Sequence, residues 1–146
     1  MASHVRAVVA VCLLVALIGC GGGGSSGGKV DVRLTDYDVI LSTSSVSSGK
    51  VELAIDNTGG FAHEILVVRS NLAIDELPKT PEGLFDEQRA GVTIVASAED
   101  IPAGGTATIT EKLAAGGYFL ICNRPAEPGD SLSHFAHFMY APLTVT

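Results

Sequence analysis

The sequence predicts an all-β domain, an antiparallel sandwich or barrel of about eight short strands. Three observations carry this. Segments such as 30–34 (VDVRL) and 51–56 (VELAID) alternate apolar and other residues with period two, as half-buried strands do. Clusters of Gly, Ser, Asn and Pro punctuate these segments at short intervals. Within the folded part, no stretch carries the sustained 3.6-residue apolar period of a packed helix.

Taken in order, strands are expected at 30–34 and 37–41, then a polar turn over 42–49 and a strand at 51–56. After Asn57-Thr58-Gly59-Gly60 comes 63–69 (HEILVVR), β-branched and apolar enough for a buried strand. Residues 91–95, 106–110, 118–122 and 143–145 complete the set. Between Arg69 and Gly91 the alternation stops. Ile74-Asp75-Glu76-Leu77 before Pro78 suits a helical turn and 81–89 is charged, so this stretch reads as a partly helical insertion between strands. There is no internal repeat.

The N-terminal part of the 146 residues reads as a targeting segment. Residues 1–10 carry His4 and Arg6 and no acid, and 7–18 are wholly apolar, the layout of a secretory signal. The run falls short of the roughly 20 residues needed to span a bilayer. Leu17-Ile18-Gly19-Cys20 resembles a bacterial lipobox, which implies cleavage before Cys20, lipid on its sulfur and acylation of the new N-terminus. Two or more acyl chains make such anchoring stable. Residues 21–28 (GGGGSSGG) read as a flexible tether spanning about 15 Å on average. The expected organisation is a signal peptide at 1–19, the lipidated cysteine and tether at 20–28, and one folded domain at 29–146. The product is then a membrane-anchored lipoprotein of the cell envelope, facing periplasm or exterior.

Charge and cysteines narrow the function. Loss of Arg6 with the signal leaves eight basic against sixteen acidic residues, which argues against a nucleic-acid partner. Of the three cysteines, Cys12 lies in the signal and Cys20 takes the lipid, so Cys122 has no disulfide partner in the domain. A solitary thiol in an oxidising compartment is a liability unless buried or ligated.

His63, Cys122, His134 and Met139 together suggest ligation. Taken singly, each has an ordinary reading: a surface imidazole, an inert buried thiol, a core thioether. As a set they offer two nitrogens, one thiolate and a weak axial sulfur, the donors of an electron-transfer copper centre.

Here the chain resembles the cupredoxins, the plastocyanin-like blue copper proteins. NTGGFAHEILVV resembles the family's Asn-Thr-Gly segment with its first ligand histidine, GGYFLICN the strand ending in the ligand cysteine, and HFAHFMYAPLTV the closing His, Met and terminal strand. The resemblance covers nearly all of 30–146. It implies a Greek-key β-sandwich binding one mononuclear copper ion at one end, with His63, Cys122 and His134 as equatorial ligands and Met139 as the axial one. His137 is the competing imidazole; the His-to-Met spacing favours His134.

The sequence departs from the family pattern in several places. Eleven residues (NRPAEPGDSLS) separate Cys122 from His134 where well-known members have only a few, and Pro125, Pro128 and Gly129 suit an enlarged loop. Phe138 stands for the usual glycine before the methionine, and Ala141 for a glycine soon after it. Glu64 replaces an asparagine that helps fix the ligand loops, so Glu64 or Asn123 is expected to supply that tie. Phe135, Phe138 and Pro142 either form an apolar patch where a redox partner docks or close the sandwich end.

A two-copper site would need a second cysteine near Cys122, multicopper oxidases need further His-rich domains, and zinc usually takes another Cys or His in place of a Met. No P-loop occurs. The expected function is therefore one-electron transfer by a monomer serving a redox protein partner, not catalysis. A copper carrier without redox traffic and a metal-free structural module are the competing readings.

Overall fold

The computed structural model describes residues 26–146. The signal segment, the lipobox and Cys20 lie outside the described residues. Nine strands form two sheets packed face to face. The four-stranded sheet has the order β2 (Val39–Leu41), β1 (Gly27–Leu34), β4 (Gly49–Asn57), β7 (Thr106–Leu113). The five-stranded sheet runs β3 (Ser45–Val46), β9 (Tyr140–Val145), β8 (Gly116–Ile121), β5 (His63–Ser70), β6 (Val92–Ile101).

Period-two alternation builds the interior. Val30, Val32 and Leu34 of β1 and Val51, Leu53 and Ile55 of β4 face Ile65 and Val67 of β5, Tyr118 and Leu120 of β8, and Leu143 and Val145 of β9. These side chains form one continuous buried cluster whose far end contains Cys122 and Met139. The arrangement departs from a purely antiparallel sandwich: β1 pairs parallel with β4, and β3 parallel with β9. Both parallel pairs are reached through connections that cross between the sheets. The chain leaves the four-stranded sheet at β2 to β3 and returns at β3 to β4 before β4 pairs with β1. It crosses again at β4 to β5, β6 to β7 and β7 to β8 before β9 pairs with β3.

Two local expectations change. The polar segment 42–49 contains β3, a two-residue strand whose position depends on β9 at the other end of the chain. The last two tether glycines, Gly27 and Gly28, are the first residues of β1, beside Lys50 and Val51. A Cβ on Gly27, at φ +122°, would collide with the Lys50 backbone, so glycine there serves a close strand pairing.

The segment between β5 and β6 is a second layer. Ile74–Glu76 forms a single 3₁₀ turn, the expected helical turn, and Lys79 makes an isolated antiparallel bridge with Phe85. Leu77 and Phe85 bury against Leu66, Val68, Phe119, Ile121 and Phe135, on the outer face of the five-stranded sheet. Strands β5 and β8 are therefore covered on both faces, which explains their near-continuous apolar runs ILVV and YFLI. Phe85, 1% exposed, meets the Phe135 ring edge-on with centroids 5.5 Å apart. Replacing Phe85 with Ala is expected to cost about 3–5 kcal/mol of stability, through lost burial and the cavity left behind. Urea unfolding of the two proteins measures the difference.

Candidate metal centre

The loop before His63 is held by Asn57, which is fully buried. Its Nδ2 group donates to the carbonyls of Phe61 (2.9 Å), Ile101 (3.0 Å) and Pro102 (3.0 Å), while its Oδ1 accepts the Gly59 N–H at 3.0 Å. Thr58 Oγ1 donates to the Leu34 carbonyl at 2.9 Å. Gly59 packs so closely that a Cβ would lie 2.8 Å from the Thr35 carbonyl carbon. The Asn-Thr-Gly segment thus ties β1, β4 and the end of β6 together and sets His63 at the start of β5.

Cys122 directly follows β8, and a run of backbone hydrogen bonds links it to the returning loop. The Cys122 N–H donates to the Met139 carbonyl, the Met139 N–H to the His134 carbonyl and the His134 N–H to the Arg124 carbonyl, each at 3.0 Å. Phe138 takes φ +64°, a left-handed conformation that accounts for the glycine usual at this place. Phe138 itself is 69% exposed, while the next residue, Met139, is fully buried in the same cluster as Cys122.

Three donors converge at this end. His63 Nδ1 lies 3.1 Å from His134 Nδ1, and Cys122 Sγ lies 3.7 Å from the first and 3.4 Å from the second. All three residues, like Met139, have no solvent exposure. They form the one cluster of three or more metal-ligating His, Cys, Asp or Glu side chains among the described residues. His137 is not in it. Its Nε2 lies 2.7 Å from Asp130 Oδ2, which also accepts the Tyr37 hydroxyl at 3.0 Å, and its ring rests against Tyr37.

The donor set fits a metal ion. Nitrogens held at about 2.0–2.1 Å and a sulfur at about 2.3 Å from a common centre stand roughly 3.2–3.8 Å apart, close to the edges of this triangle. His134 Nε2 meets the Glu127 carboxylate at 3.0 Å and must carry the proton there, leaving its Nδ1 bare. His63 Nε2 is buried with no hydrogen-bond partner, so either tautomer of His63 leaves a polar atom unsatisfied. A cation between the donors takes up both lone pairs that face it.

Sequence reasoning did not find Glu127, Asp130 or the positioning role of Asn57. Each acid precedes its histidine by seven residues in the Pro- and Gly-containing loop, a spacing with no meaning until that loop is folded. The expected second tie uses both residues named for it: the Asn123 N–H donates to Glu64 Oε1 at 3.1 Å. The Asn123 side chain clasps the second layer, accepting from the Phe85 N–H at 2.6 Å and donating to the Phe85 carbonyl at 3.0 Å. The aromatic patch divides. Phe135 is buried under Phe85 in the second layer, outside the sandwich interior, while Phe138 and Pro142 are exposed.

Burial sets the protonation states. It lowers His63 to about 4, with the neighbouring His134 adding to the effect, and lowers His134 against the opposing pull of Glu127. It raises the Cys122 thiol to about 11. Near neutrality the metal-free pocket therefore holds two neutral imidazoles and a protonated thiol, and only the thiol has a proton to release on metal binding. A histidine with a depressed folded pKa is protonated first in the unfolded chain. The stability tied to neutral His63 is thus full above about 6.5 and is lost as pH falls towards about 4. The metal-free domain is expected to melt lower at about pH 5 than at about pH 7, and His63→Gln to narrow that difference; thermal melts of both proteins check it.

No family model and no curated protein matches the chain. Solved structures do. A reduced auracyanin from the photosynthetic bacterium Roseiflexus castenholzii aligns over 85% of this chain and 99% of its own, with 22% identity and a TM-score of 0.53. Auracyanin B aligns over 86% and 96%, also at 22% identity and a TM-score of 0.53. Rusticyanin from Thiobacillus ferrooxidans aligns over 83% and 78%, with 18% identity and a TM-score of 0.59. Two mixed sheets in this order, with His63, Cys122, His134 and Met139 gathered at one end and these proteins as structural neighbours, identify the described domain as having the cupredoxin fold.

Proposed function

We propose that this protein is a mononuclear type 1 copper protein that carries single electrons outside the cytoplasm, anchored to a membrane by lipid on Cys20. The observation that carries the reading is the buried triangle of His63 Nδ1, His134 Nδ1 and Cys122 Sγ, closed by Met139. Copper would supply the one-electron couple, for which two imidazoles, a thiolate and a weak thioether are a suitable donor set. His63, Cys122 and His134 would hold the ion as its strong donors, with Met139 as the weaker fourth. The chain's contribution is to keep these donors dry and rigid: Asn57 fixes the first loop, the Cys122–Met139–His134 backbone hydrogen bonds fix the second, and the Phe85 layer braces β5 and β8 from outside. The reading gives the domain no catalytic role of its own and makes it a monomer exchanging electrons with a redox protein.

The direction of β1 suits the anchor. Gly27 lies beside Lys50, with Ser26 Oγ donating to the Ser48 carbonyl at 3.1 Å, while Leu34 ends beside Asn57 near the site. A tether leading into Gly27 meets the sandwich at the pole opposite His63, which leaves the copper end free to face a partner.

Cys122→Ser is expected to abolish the visible thiolate-to-copper absorption while the metal-free domain stays folded; colour that persists places the site elsewhere. Met139→Leu should keep copper and colour but raise the reduction potential, because Cu(II) loses more than Cu(I) when a donor is removed. Each tenfold change in that relative affinity is about 59 mV for one electron, within reach of voltammetry. An unchanged potential would show that the Met139 sulfur is not a ligand. His134→Ala should perturb the spectrum and His137→Ala should leave it intact.

The anchor has its own test. Cys20→Ala should move the protein from the membrane fraction to the soluble fraction, and retention on the membrane would overturn the lipid assignment.

A further inference from the structure

We propose that Glu127 is a positioning residue for this centre: its carboxylate holds His134 with Nδ1 aimed at Cys122 and favours the more positive oxidation state of the bound ion. The inference rests on the copper reading above and gives the enlarged loop between Cys122 and His134 a function.

The geometry is specific. Glu127 Oε1 lies 3.0 Å from His134 Nε2, on the side of the ring away from the donor triangle. His134 is fully buried and the Glu127 side chain is 21% exposed, so water weakens the contact little. A carboxylate accepts a hydrogen bond but donates none, so the imidazole proton sits on Nε2. His134 Nδ1 is then a bare lone pair 3.4 Å from Cys122 Sγ and 3.1 Å from His63 Nδ1. Tyr37 meets the same ring edge-on at 5.5 Å and limits its rotation.

The loop is shaped to make this contact. The Asp130 N–H donates to the Glu127 carbonyl at 2.9 Å across a turn containing Pro128 and Gly129, the latter at φ +93°. The His134 N–H closes the loop onto the Arg124 carbonyl at 3.0 Å, which brings the Glu127 side chain back over the ring that follows it by seven residues. A shorter loop lacks the residues for this return. Histidine ligands commonly pass their second ring proton to a carboxylate, which orients them and raises their basicity. A negative charge one imidazole away from the ion stabilises Cu(II) more than Cu(I), so Glu127 lowers the reduction potential. Asp130 provides an internal comparison: a carboxylate in the same loop, 2.7 Å from His137, which lies outside the donor triangle.

The test uses full-length protein carrying Glu127→Gln, Glu127→Ala or Asp130→Asn. Voltammetry reads the copper-loaded forms, and nitrogen-15 NMR of the imidazoles reads the metal-free forms. Glutamine can still accept the Nε2–H, so Glu127→Gln is expected to keep the His134 Nε2–H tautomer yet shift the relative Cu(II)/Cu(I) affinity at least tenfold towards Cu(I), a rise of about 59 mV. Glu127→Ala should raise the potential and also lose the tautomer preference, and Asp130→Asn should move the potential less than half as far as Glu127→Gln. A Glu127→Gln potential that moves no more than that of Asp130→Asn, or a wild-type His134 found as the Nδ1–H tautomer, overturns the inference while leaving the copper reading intact. If wild-type protein shows no thiolate-to-copper band, the copper reading and the effect on potential both fall, and the metal-free spectra still decide whether Glu127 holds His134.

Discussion

Two imidazoles and a thiol are crowded within 3.1–3.7 Å of one another in a pocket closed to solvent, and the site end of the molecule is organised around holding them there. Each buried polar atom without a partner costs about 1–3 kcal/mol, so left to itself the chain would turn these groups outward to water. It is prevented from doing so by backbone hydrogen bonds. Cys122, Met139 and His134 are joined in series through their own peptide groups, which fixes their main chain, and close packing around the three buried side chains holds them inward. The metal-free pocket is thereby held in a shape whose converging Nδ1 and Sγ atoms suit a cation.

Two features outside the sandwich core make that restraint effective. The layer between β5 and β6 covers the outer face of the five-stranded sheet, and Asn123, the residue after Cys122, binds the Phe85 main chain on both its N–H and C=O sides. The long loop before His134 anchors to the same layer, Ser133 Oγ donating to the Gly83 carbonyl at 2.6 Å. Insertion and enlarged loop therefore brace one another. A sheet covered on both faces also explains why β5 and β8, which bear or adjoin two of the donors, are among the most thoroughly buried strands of the domain.

The surface around the site is mixed rather than broadly apolar. Phe138 and Leu132 are exposed, while Glu127 and Asp130 turn their carboxylates onto histidines. Phe138 shows how a departure from a familiar pattern can be structurally conservative: the backbone keeps the left-handed turn, and the larger side chain is accommodated because it is mostly exposed, edge-on to Tyr140.

Much of the fold was legible because strand burial writes a period of two into the chain, and eight of the nine strands carry it or a continuous apolar run. The donors were legible as well, since His, Cys and Met in that order beside recognisable strand ends carry chemistry in their side chains alone. Strand β3 was not, because two residues hold no periodicity and their pairing is supplied by β9, about a hundred positions away in the chain. The parallel pairs, the doubling of Gly27 and Gly28 as strand residues, and the burial of Phe85 and Phe135 likewise depend on which surfaces the sheets present to one another. The spacing to Met139 already favoured His134 over His137, but the turning of His137 onto Asp130 depends on the folded loop. The sequence by itself determined which groups could bind a metal and in what order they occur. The tertiary structure alone decided which of them meet, because a contact such as Glu127 with His134 depends on the path of the loop between them and not on any local preference of either residue.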